Sequence, residues 1–438
     1  LQIAFCQGLQ RQQTEKINSL NRLLNTFPQS EYRDDALYEL GRANERIGKN
    51  YDAVQQYQEI ADKHPNSNYY RKALLQLGLV NYNNGDFDKA LRQYKEVAEN
   101  YKGTPEATSA LSGIKNCYVE LNTVDEYFAY VRRLGGEVNI TASEQDQLTY
   151  TAAERLYMSG KDGAKMQLEQ YLLQFPTGAY TLNAHFYLAE LLYKEGEYTS
   201  ANDHYTYVAQ QATNIFSEPA LSKSSEMTFA AENYSQALQL FIALEQVANS
   251  KWNLLKAYTG QMRCYMIQKN YEQAIVAAAK VEKSDVANEA LQNEADFAEG
   301  KSNYELGNLS SAISPLRDVA SDTKLEQGAE AKYLLAEIYY RDNKKPKAEE
   351  EIVDFIEKGT PYTFWLGKAF LLLANIYDDK GDQFQAKHTL KSLAENYNND
   401  TDGVKAEAQL RLNKILAKEA QQQQNAVDSS FQMEIKQN

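Results

Sequence analysis

Apolar and polar positions recur along this chain with a period of 36 to 38 residues. Each copy has an anchor residue, usually Ala, that is followed four and seven residues later by apolar side chains in nearly every case. The anchors are Ala53, Ala90, Tyr127, Ala164, Ala201, Ala237, Ala274, Ala312, Ala348 and Ala386. Because positions 0, 4 and 7 share one face of an α-helix, the pattern predicts an amphipathic helix in every copy, called helix B here.

A second set of positions, twelve residues before the anchors, predicts a partner for each helix B. These residues are Gly41, Gly78, Lys115, Ala152, Ala189, Ser225, Met262, Gly300, Ala336 and Ala374. Most are small, which lets two helices approach closely, so we expect a helix A there that packs on helix B. Between the two helices stand Gly48, Gly85, Gly160, Gly196, Gly307 and Gly381, and glycine ends a helix readily in the left-handed conformation.

A period of this length predicts a stacked array in which each helix–turn–helix repeat buries its apolar face against its neighbours. We expect an all-α solenoid of about ten full repeats over residues 28–403, after a partial N-terminal repeat at 1–27. A capping helix is expected at 404–420 and a polar, Gln-rich tail at 421–438, with bends near 135–141 and 213–225. The chain opens inside a repeat, which indicates the C-terminal portion of a longer array; a processed mature start is the alternative.

The residues of the clearest repeats resemble the tetratricopeptide repeat (TPR) family. Gly85, Phe87, Ala90 and Tyr94 match its positions, and Gly196, Tyr198, Ala201 and Tyr205 match them again. The resemblance covers about residues 1–417 and implies a right-handed superhelical solenoid. The period exceeds the family's roughly 34 residues, and the surplus falls in the loops between repeats. Single repeats also depart from the pattern, as with Lys115 at a small position and Tyr127 at an anchor.

Three loops between repeats share a further signature. In each, Pro stands eight residues before an Ala of the next helix A, which gives the pairs Pro28 and Ala36, Pro65 and Ala73, and Pro176 and Ala184. Pro ends helix B, and nearby Ser, Thr or Asn are expected to cap the next helix. These loops resemble those of bacterial periplasmic TPR proteins of the outer-membrane-assembly lipoprotein and Tol-Pal accessory type. The resemblance favours a bacterial periplasm or cell envelope.

Charge and cysteine content limit the partners. The chain has 46 Lys and Arg against 60 Asp and Glu, a net charge of −14, so we expect no nucleic-acid ligand, because that requires a basic surface. No apolar run approaches the ~18 residues of a membrane span. The three cysteines, Cys6, Cys117 and Cys264, form neither a disulfide framework nor a zinc motif, and burial as small apolar side chains is expected for them.

No catalytic or metal-binding pattern stands out. The four histidines, His64, His185, His204 and His388, lack metal-ligand spacing, and no phosphate-binding loop, zinc-protease or nucleophile-elbow motif occurs. The sequence therefore predicts a protein that is not an enzyme and has no cofactor.

The resemblance places a candidate binding surface on the A helices, which line the concave face of TPR arrays. Residues three before and four after the small position point inward there. With the charged residues beside them, they form what we call the inner stripe: Tyr38, Tyr82, Phe186, Glu190, Tyr193, Phe297, Lys301, Tyr304, Tyr333, Glu337 and Tyr340. Aromatic rings with interleaved charge suit an extended peptide or a partner helix. The alternative is that these rings fill gaps between adjacent A helices.

Three functions are compatible with the sequence. The first is a non-catalytic scaffold that binds a protein segment in its concave groove, in bacterial cell-envelope assembly. The second is a regulatory TPR array of a larger signalling or transferase protein. The third is a glycan-binding envelope protein, since tyrosine rings stack on sugars; the absence of large insertions between repeats disfavours it.

Overall fold

The computed structural model describes the backbone of residues 1–135 and 139–437, and the side chains of the same ranges up to 423. Within these residues every regular element is an α-helix, and there are 23. The first twelve are α1 (Gln2–Leu9), α2 (Gln13–Thr26), α3 (Arg33–Arg46), α4 (Asn50–Lys63), α5 (Tyr70–Asn83), α6 (Phe87–Asn100), α7 (Pro105–Glu120), α8 (Val124–Leu134), α9 (Ala142–Met158), α10 (Ala164–Gln174), α11 (Thr181–Glu195) and α12 (Tyr198–Ala209). The others are α13 (Ser217–Ala230), α14 (Tyr234–Val247), α15 (Lys251–Ile267), α16 (Tyr271–Glu282), α17 (Glu289–Glu305), α18 (Leu309–Val319), α19 (Glu326–Arg341), α20 (Lys345–Lys358), α21 (Thr363–Asp379), α22 (Gln383–Asn396) and α23 (Val404–Gln437).

The predicted all-α repeat architecture is confirmed. From α3 to α22, odd-numbered helices are A helices and even-numbered helices are B helices. Most successive A helices also contact one another, from α5 to α11 and from α13 to α21. The anchors are buried throughout: Ala90 and Ala274 are fully enclosed, and Tyr127 is almost so. The apolar residues four and seven positions later complete the core, as Tyr57 and Ile60 do in the first full repeat. Burial of this stripe supplies most of the stability of each helix.

The small positions on the A helices permit the close approach that the sequence predicts. A Cβ on Gly41 would lie 2.5 Å from the ring of Tyr57, and one on Gly78 would lie 2.4 Å from the ring of Tyr94. In both cases the ring belongs to the helix B of the same repeat, four residues after its anchor. A side chain at these positions would therefore force the two helices apart.

The turn between helices A and B keeps one geometry across most of the array. The residue five before the anchor has positive φ at Gly48, Gly85, Gly196, Gly307 and Gly381. The same place holds Asn122, Glu232, Lys269 and Asn343, with φ of 56 to 61°. The repeat anchored at Ala164 differs, because two glycines (Gly160 and Gly163) have positive φ and α10 begins only at the anchor.

The chain divides into two compact units, Leu1–Glu197 and Tyr198–Asn438. Each has its own buried cluster, centred on rings such as Tyr94 and Tyr127 in the first and Phe297 and Tyr333 in the second. The continuity of the array between them stays a prediction, as do the bends. Part of the first bend, 136–138, lies outside the described residues, and α13 occupies most of the second. Helix α23 packs on α21 and α22 and extends to Gln437.

The loops between repeats show how one repeat holds the next. The prolines follow the B helices as predicted, but the predicted serine caps are wrong. Ser30 and Ser67 instead accept hydrogen bonds from the backbone N–H groups of Tyr32 and Tyr69, in turns that precede the helices, which have no side-chain cap. The hydroxyls of Ser30 and Ser67 therefore accept hydrogen bonds within these turns and do not cap the helices.

Carboxylates near the start of a helix A fix the following loop. Asp146 on α9 accepts from the Tyr171 hydroxyl at 2.6 Å and from the backbone N–H of Ala179 at 2.7 Å. Glu218 on α13 accepts from the N–H groups of Asn249 and Ser250, each at 3.1 Å. Asp34 on α3 accepts from the Ser67 hydroxyl. Each acceptor belongs to the repeat before the loop that it holds.

Candidate functional site

The inner stripe lies on five A helices. The first unit has Tyr38 on α3, Tyr82 on α5, and Phe186, Glu190 and Tyr193 on α11. The second unit has Phe297, Lys301 and Tyr304 on α17, and Tyr333, Glu337 and Tyr340 on α19. Their surroundings differ between the two units.

Tyr38 packs between repeats. Its side chain is buried, and its ring stacks on that of Tyr69 at 4.8 Å between centroids. The ring of Tyr57 lies 5.8 Å from that of Tyr38, at a tilted angle. Tyr69 is the residue before α5, so the stack joins one helix A to the start of the next.

The other stripe residues of the first unit are half-buried. The Tyr82 hydroxyl donates to Glu120 on α7 at 3.0 Å, and its ring meets Phe87 edge-on at 5.5 Å. On α11, the ring of Phe186 lies edge-on to Tyr187 at 6.1 Å. The Tyr82 contacts, like those of Tyr38, tie neighbouring helices together.

On α17 the stripe combines rings and charge. The Lys301 ammonium lies 5.5 Å from the centroid of the buried Phe297 ring and forms an ion pair of 2.7 Å with Glu330 on α19. The Arg341 guanidinium lies 4.9 Å from the ring of Tyr304. Cation–π contacts of this kind stabilise by about 0.5–2 kcal/mol, depending on desolvation.

Glu337 is the centre of a hydrogen-bonded cluster that joins α17 to α19. Burial by itself would raise the pKa of this carboxyl. Hydrogen bonds from Tyr333, Arg341 and Tyr304, together with the charge of Arg341, outweigh burial and lower the pKa. The Arg341 bond measures 2.5 Å. The carboxylate is thus charged at neutral pH, and the two phenol groups are held in fixed positions.

A groove lies beside this cluster, between α19, α21 and α23. We call it the C-terminal groove; its volume is about 480 Å³. Its lining residues are Tyr333, Glu337, Tyr340, Arg341, Phe364, Lys368, Leu371, Leu372, Asn375, Asp402, Gly403, Val404, Glu407 and Arg411. The inner stripe thus contributes Tyr333, Glu337 and Tyr340 to the groove, and the Tyr340 hydroxyl donates to Asp379 at 2.8 Å.

Most charges in the C-terminal groove are already paired. Arg411 donates to Glu407 at 2.6 Å and to the side-chain oxygen of Asn375 at 2.7 Å. Asp402 accepts from the Tyr397 hydroxyl and from the backbone N–H of Val404. Lys368 is different. Its ammonium lies 5.7 Å from the centroid of the Tyr333 ring, and within the described residues it makes no ion pair.

The sequence reasoning missed Phe364, Lys368 and Arg411. The register that selected the inner stripe takes positions beside the small residue, whereas Lys368 lies six residues before Ala374 and Phe364 ten before it. Arg411 lies on α23, for which the sequence predicts only a capping role. Extending the A-helix register by one turn reaches Lys368 and by two turns reaches Phe364, and Arg411 requires its extension onto α23.

No metal site is formed by the described residues, since none of their His, Cys, Asp and Glu side chains gather in groups of three or more with suitable geometry. The absence of a cofactor and of catalysis stays a prediction. Among the described helices, none has the length and apolar character needed to cross a bilayer.

Family models match parts of the chain. Two tetratricopeptide repeat models match, one at residues 35–67, 72–104 and 368–399 and the other at 297–354. The first two segments cover α3–α6, the last α17–α20, and residues 368–399 cover most of α21 and α22. Comparison with curated proteins finds no match. The periplasmic subtype suggested by the proline loops is not confirmed by these models.

Solved structures with similarity to this chain include other repeat proteins. YrrB, described as a TPR protein with an unusual peptide-binding site, is 14% identical over 47% of this chain and 97% of its own, with a TM-score of 0.37. Yeast Tom70 is 13% identical over 98% of both chains, with a TM-score of 0.35. A TPR protein from Parabacteroides merdae is 14% identical over 60% of this chain and 98% of its own, with a TM-score of 0.30.

In the matched segments, the helix A–helix B packing and the buried anchors agree with the tetratricopeptide repeat models. TPR proteins generally mediate interactions between proteins. Residues 35–67, 72–104, 297–354 and 368–399 of this chain therefore carry tetratricopeptide repeats.

Proposed function

We propose that this protein is a non-catalytic interaction scaffold that binds an extended segment of a partner protein, or a partner helix, in the C-terminal groove. The observation that carries the proposal is the position of Tyr333, Glu337 and Tyr340. The repeat register selects them as inward-pointing, and they line a groove of about 480 Å³. Aromatic faces next to fixed polar groups are typical of peptide-binding surfaces.

The groove lining fits a peptide better than a purely apolar ligand. Leu371, Leu372 and Phe364 supply apolar area, while Asn375 and the paired charges supply hydrogen-bonding groups along the same surface. An extended peptide requires both, because its backbone amides must be satisfied when they leave water.

Lys368 indicates the charge that the proposed partner should carry. Its ammonium is half-buried against the Tyr333 ring and lacks a carboxylate among the described residues. A partly desolvated cation gains from an opposite charge more than an exposed one does. We therefore expect an acidic side chain or a carboxylate of the partner next to Lys368.

The proposal is tested by affinity capture from the native lysate, comparing the wild type with Lys368→Glu and with Phe364→Ala. Both side chains are at least partly accessible, so these changes spare the core, unlike substitution of the buried Tyr333. Charge reversal is expected to weaken the captured partner's affinity by roughly tenfold or more.

Matched controls lie on α22. Lys391→Glu and Phe384→Ala change the same residue types at exposed positions outside the groove. They should leave capture unchanged. Equal binding of the same partners by the wild type and by both groove variants would contradict the proposed site.

We also propose that the protein works in a bacterial cell envelope. The support is the resemblance of the three proline loops to those of periplasmic TPR proteins. Fractionation of the source cells checks this: the protein is expected with the periplasm or membranes, and recovery in the cytosol alone would contradict it.

A further inference from the structure

A second concave site lies in the same unit, away from the C-terminal groove. It is a pocket of about 310 Å³ between α13, α14, α15 and α17, called the Trp252 pocket here. Apolar side chains form most of it, with Phe229, Phe241, Leu255 and Leu291 around the interior. Phe241 and Leu255 are buried core residues, so this part of the pocket is fixed by the packing of the repeats.

Trp252 stands at the pocket with 66% of its surface exposed. A tryptophan left in water forgoes the stabilisation that burial of its ring would provide. Its position at the second residue of α15 requires no aromatic side chain for the fold. An exposed ring beside a preformed apolar pocket is typical of a binding surface.

Thr259 adds a polar group to this apolar site. The residue is only 5% exposed, and its hydroxyl oxygen is buried with no hydrogen-bond partner among the described residues. A buried hydroxyl without a partner is destabilising, because it has lost its hydrogen bonds to water and gained none in the protein. A ligand that supplied a hydrogen-bonding group would recover this free energy.

The charges of the Trp252 pocket are neutralised within the protein. Lys256 pairs with Glu226 at 2.8 Å and donates to the Ser222 hydroxyl. Arg263 forms two parallel hydrogen bonds to Glu294, at 2.6 and 2.7 Å. An ionised ligand would have to enter an apolar pocket without an available counter-charge, so the site favours an uncharged group.

We propose that the Trp252 pocket binds an aromatic side chain with a hydrogen-bonding tip, Tyr or Trp, from a partner polypeptide. The ring packs against Phe229 and Leu291 under Trp252, and the hydroxyl or indole N–H reaches Thr259. This site is independent of the C-terminal groove and takes a neutral anchor, whereas the groove takes an acidic group.

Side-chain analogues test the proposal directly. The probes are p-cresol and toluene, which differ by the hydroxyl alone. Binding is followed by the emission of Trp252 in a Trp365→Phe background, because the chain has 2 tryptophans. We expect p-cresol to bind roughly threefold to tenfold more tightly than toluene, the ratio of one net hydrogen bond.

Two variants separate the contributions of the Thr259 hydroxyl and the Trp252 ring to binding, and a third variant is a control. Thr259→Val keeps the shape and removes an unpaired hydroxyl, so it should fold normally and abolish the preference for p-cresol over toluene. Trp252→Ala, with binding followed by NMR, should weaken both. Lys368→Glu should leave p-cresol binding unchanged, so a failure of the C-terminal groove and a failure of this pocket give different results.

Equal affinity for p-cresol and toluene in the wild type, or no binding of either, would overturn the proposal. Self-association in sedimentation experiments that Trp252→Ala abolishes would also overturn it, because a second copy of the chain would then be the occupant.

Discussion

Single residues set the geometry of each repeat. The residue five before the anchor adopts positive φ whether it is Gly, as at Gly85, or carries a side chain, as at Glu232 and Lys269. For a residue with a Cβ this conformation costs about 1–2 kcal/mol. The tertiary packing of the two helices therefore imposes the turn, and the local sequence only makes it easier or harder.

Replacing Glu232 by Gly should stabilise the protein by about 0.5–1 kcal/mol. Glycine removes the steric cost of positive φ and returns part of the gain through its greater freedom in the unfolded chain. Glu232→Ala is the matched control, because it removes the same exposed carboxylate and keeps a Cβ. Urea unfolding measures both variants, and an equal gain for Ala and Gly would show that the charge, not the backbone, is responsible.

The sequence predicts these residue-scale features unevenly. Spacing alone identifies the buried anchors and the close contacts of Gly41 and Gly78. Positive φ at Glu232 and Lys269 could not be predicted, since neither side chain favours that conformation. Tyr38 fits the register of an inward-pointing residue, yet its stack on Tyr69 depends on the path of the intervening loop, which periodicity does not describe.

Pairs of helices bring together groups that lie far apart in the sequence. At the end of α16, Glu282 faces Glu299 and Asp296 on α17. Burial, then the charge of Glu299 and a hydrogen bond with it, then the charge of Asp296, raise the pKa of Glu282 to about 7; the charge of Lys283 opposes them. Burial, followed by the charges of Asp318 and Glu299, also raises the pKa of Asp296.

The pair formed by Glu282 and Glu299 predicts that the free energy of unfolding depends on pH. The pKa of Glu282 is higher in the folded state than in the unfolded state, so its contribution is complete below the unfolded pKa of about 4.5 and is lost as pH rises through about 7. The pair is partly open to solvent, and screening reduces the effect to about 1 kcal/mol.

Glu282→Gln should therefore flatten the dependence of the free energy of unfolding on pH between about 5 and 8. Chemical denaturation at several pH values measures it. Glu289 is an exposed carboxyl on α17, the helix that carries Glu299. Glu289→Gln serves as the control and should keep the wild-type dependence on pH. Parallel curves for the wild type and Glu282→Gln would rule out the pair as the cause.

The C-terminal groove shows what helix-level prediction omits. The register supplied Tyr333, Glu337 and Tyr340, because they occupy equivalent places on one helix face. Lys368 and Arg411 come from two further helices, and their roles follow from which partner each finds in three dimensions. A periodic pattern assigns residues to faces, but it does not say which charges remain unpaired.

The molecule as a whole consists of two compact units, each with one fully buried cysteine: Cys117 in the first and Cys264 in the second. Cys6 is exposed, so the expectation that all three are buried is wrong for this residue. Burial, with a smaller contribution from the charge of Glu120, raises the pKa of Cys117 to about 12. Burial raises the pKa of Cys264 to about 11.

Thiol labelling should follow this division. At pH 8 the native protein is expected to react once, at Cys6, since the other thiols are protonated and enclosed. In increasing urea, Cys117 and Cys264 should report the unfolding of their own units, as read by mass spectrometry of peptides. Rapid native labelling of either buried cysteine would contradict the packing of that unit.

The carboxylates that hold the loops between repeats all lie on the N-terminal side of those loops. Asp34, Asp146 and Glu218 each lie one repeat upstream of the loop that they fix. A polypeptide leaves the ribosome from its N-terminus, so each of these acceptors is available before the loop that needs it. At these three loops, growth in the order of synthesis adds each new helix pair to a neighbour that is already prepared to receive it.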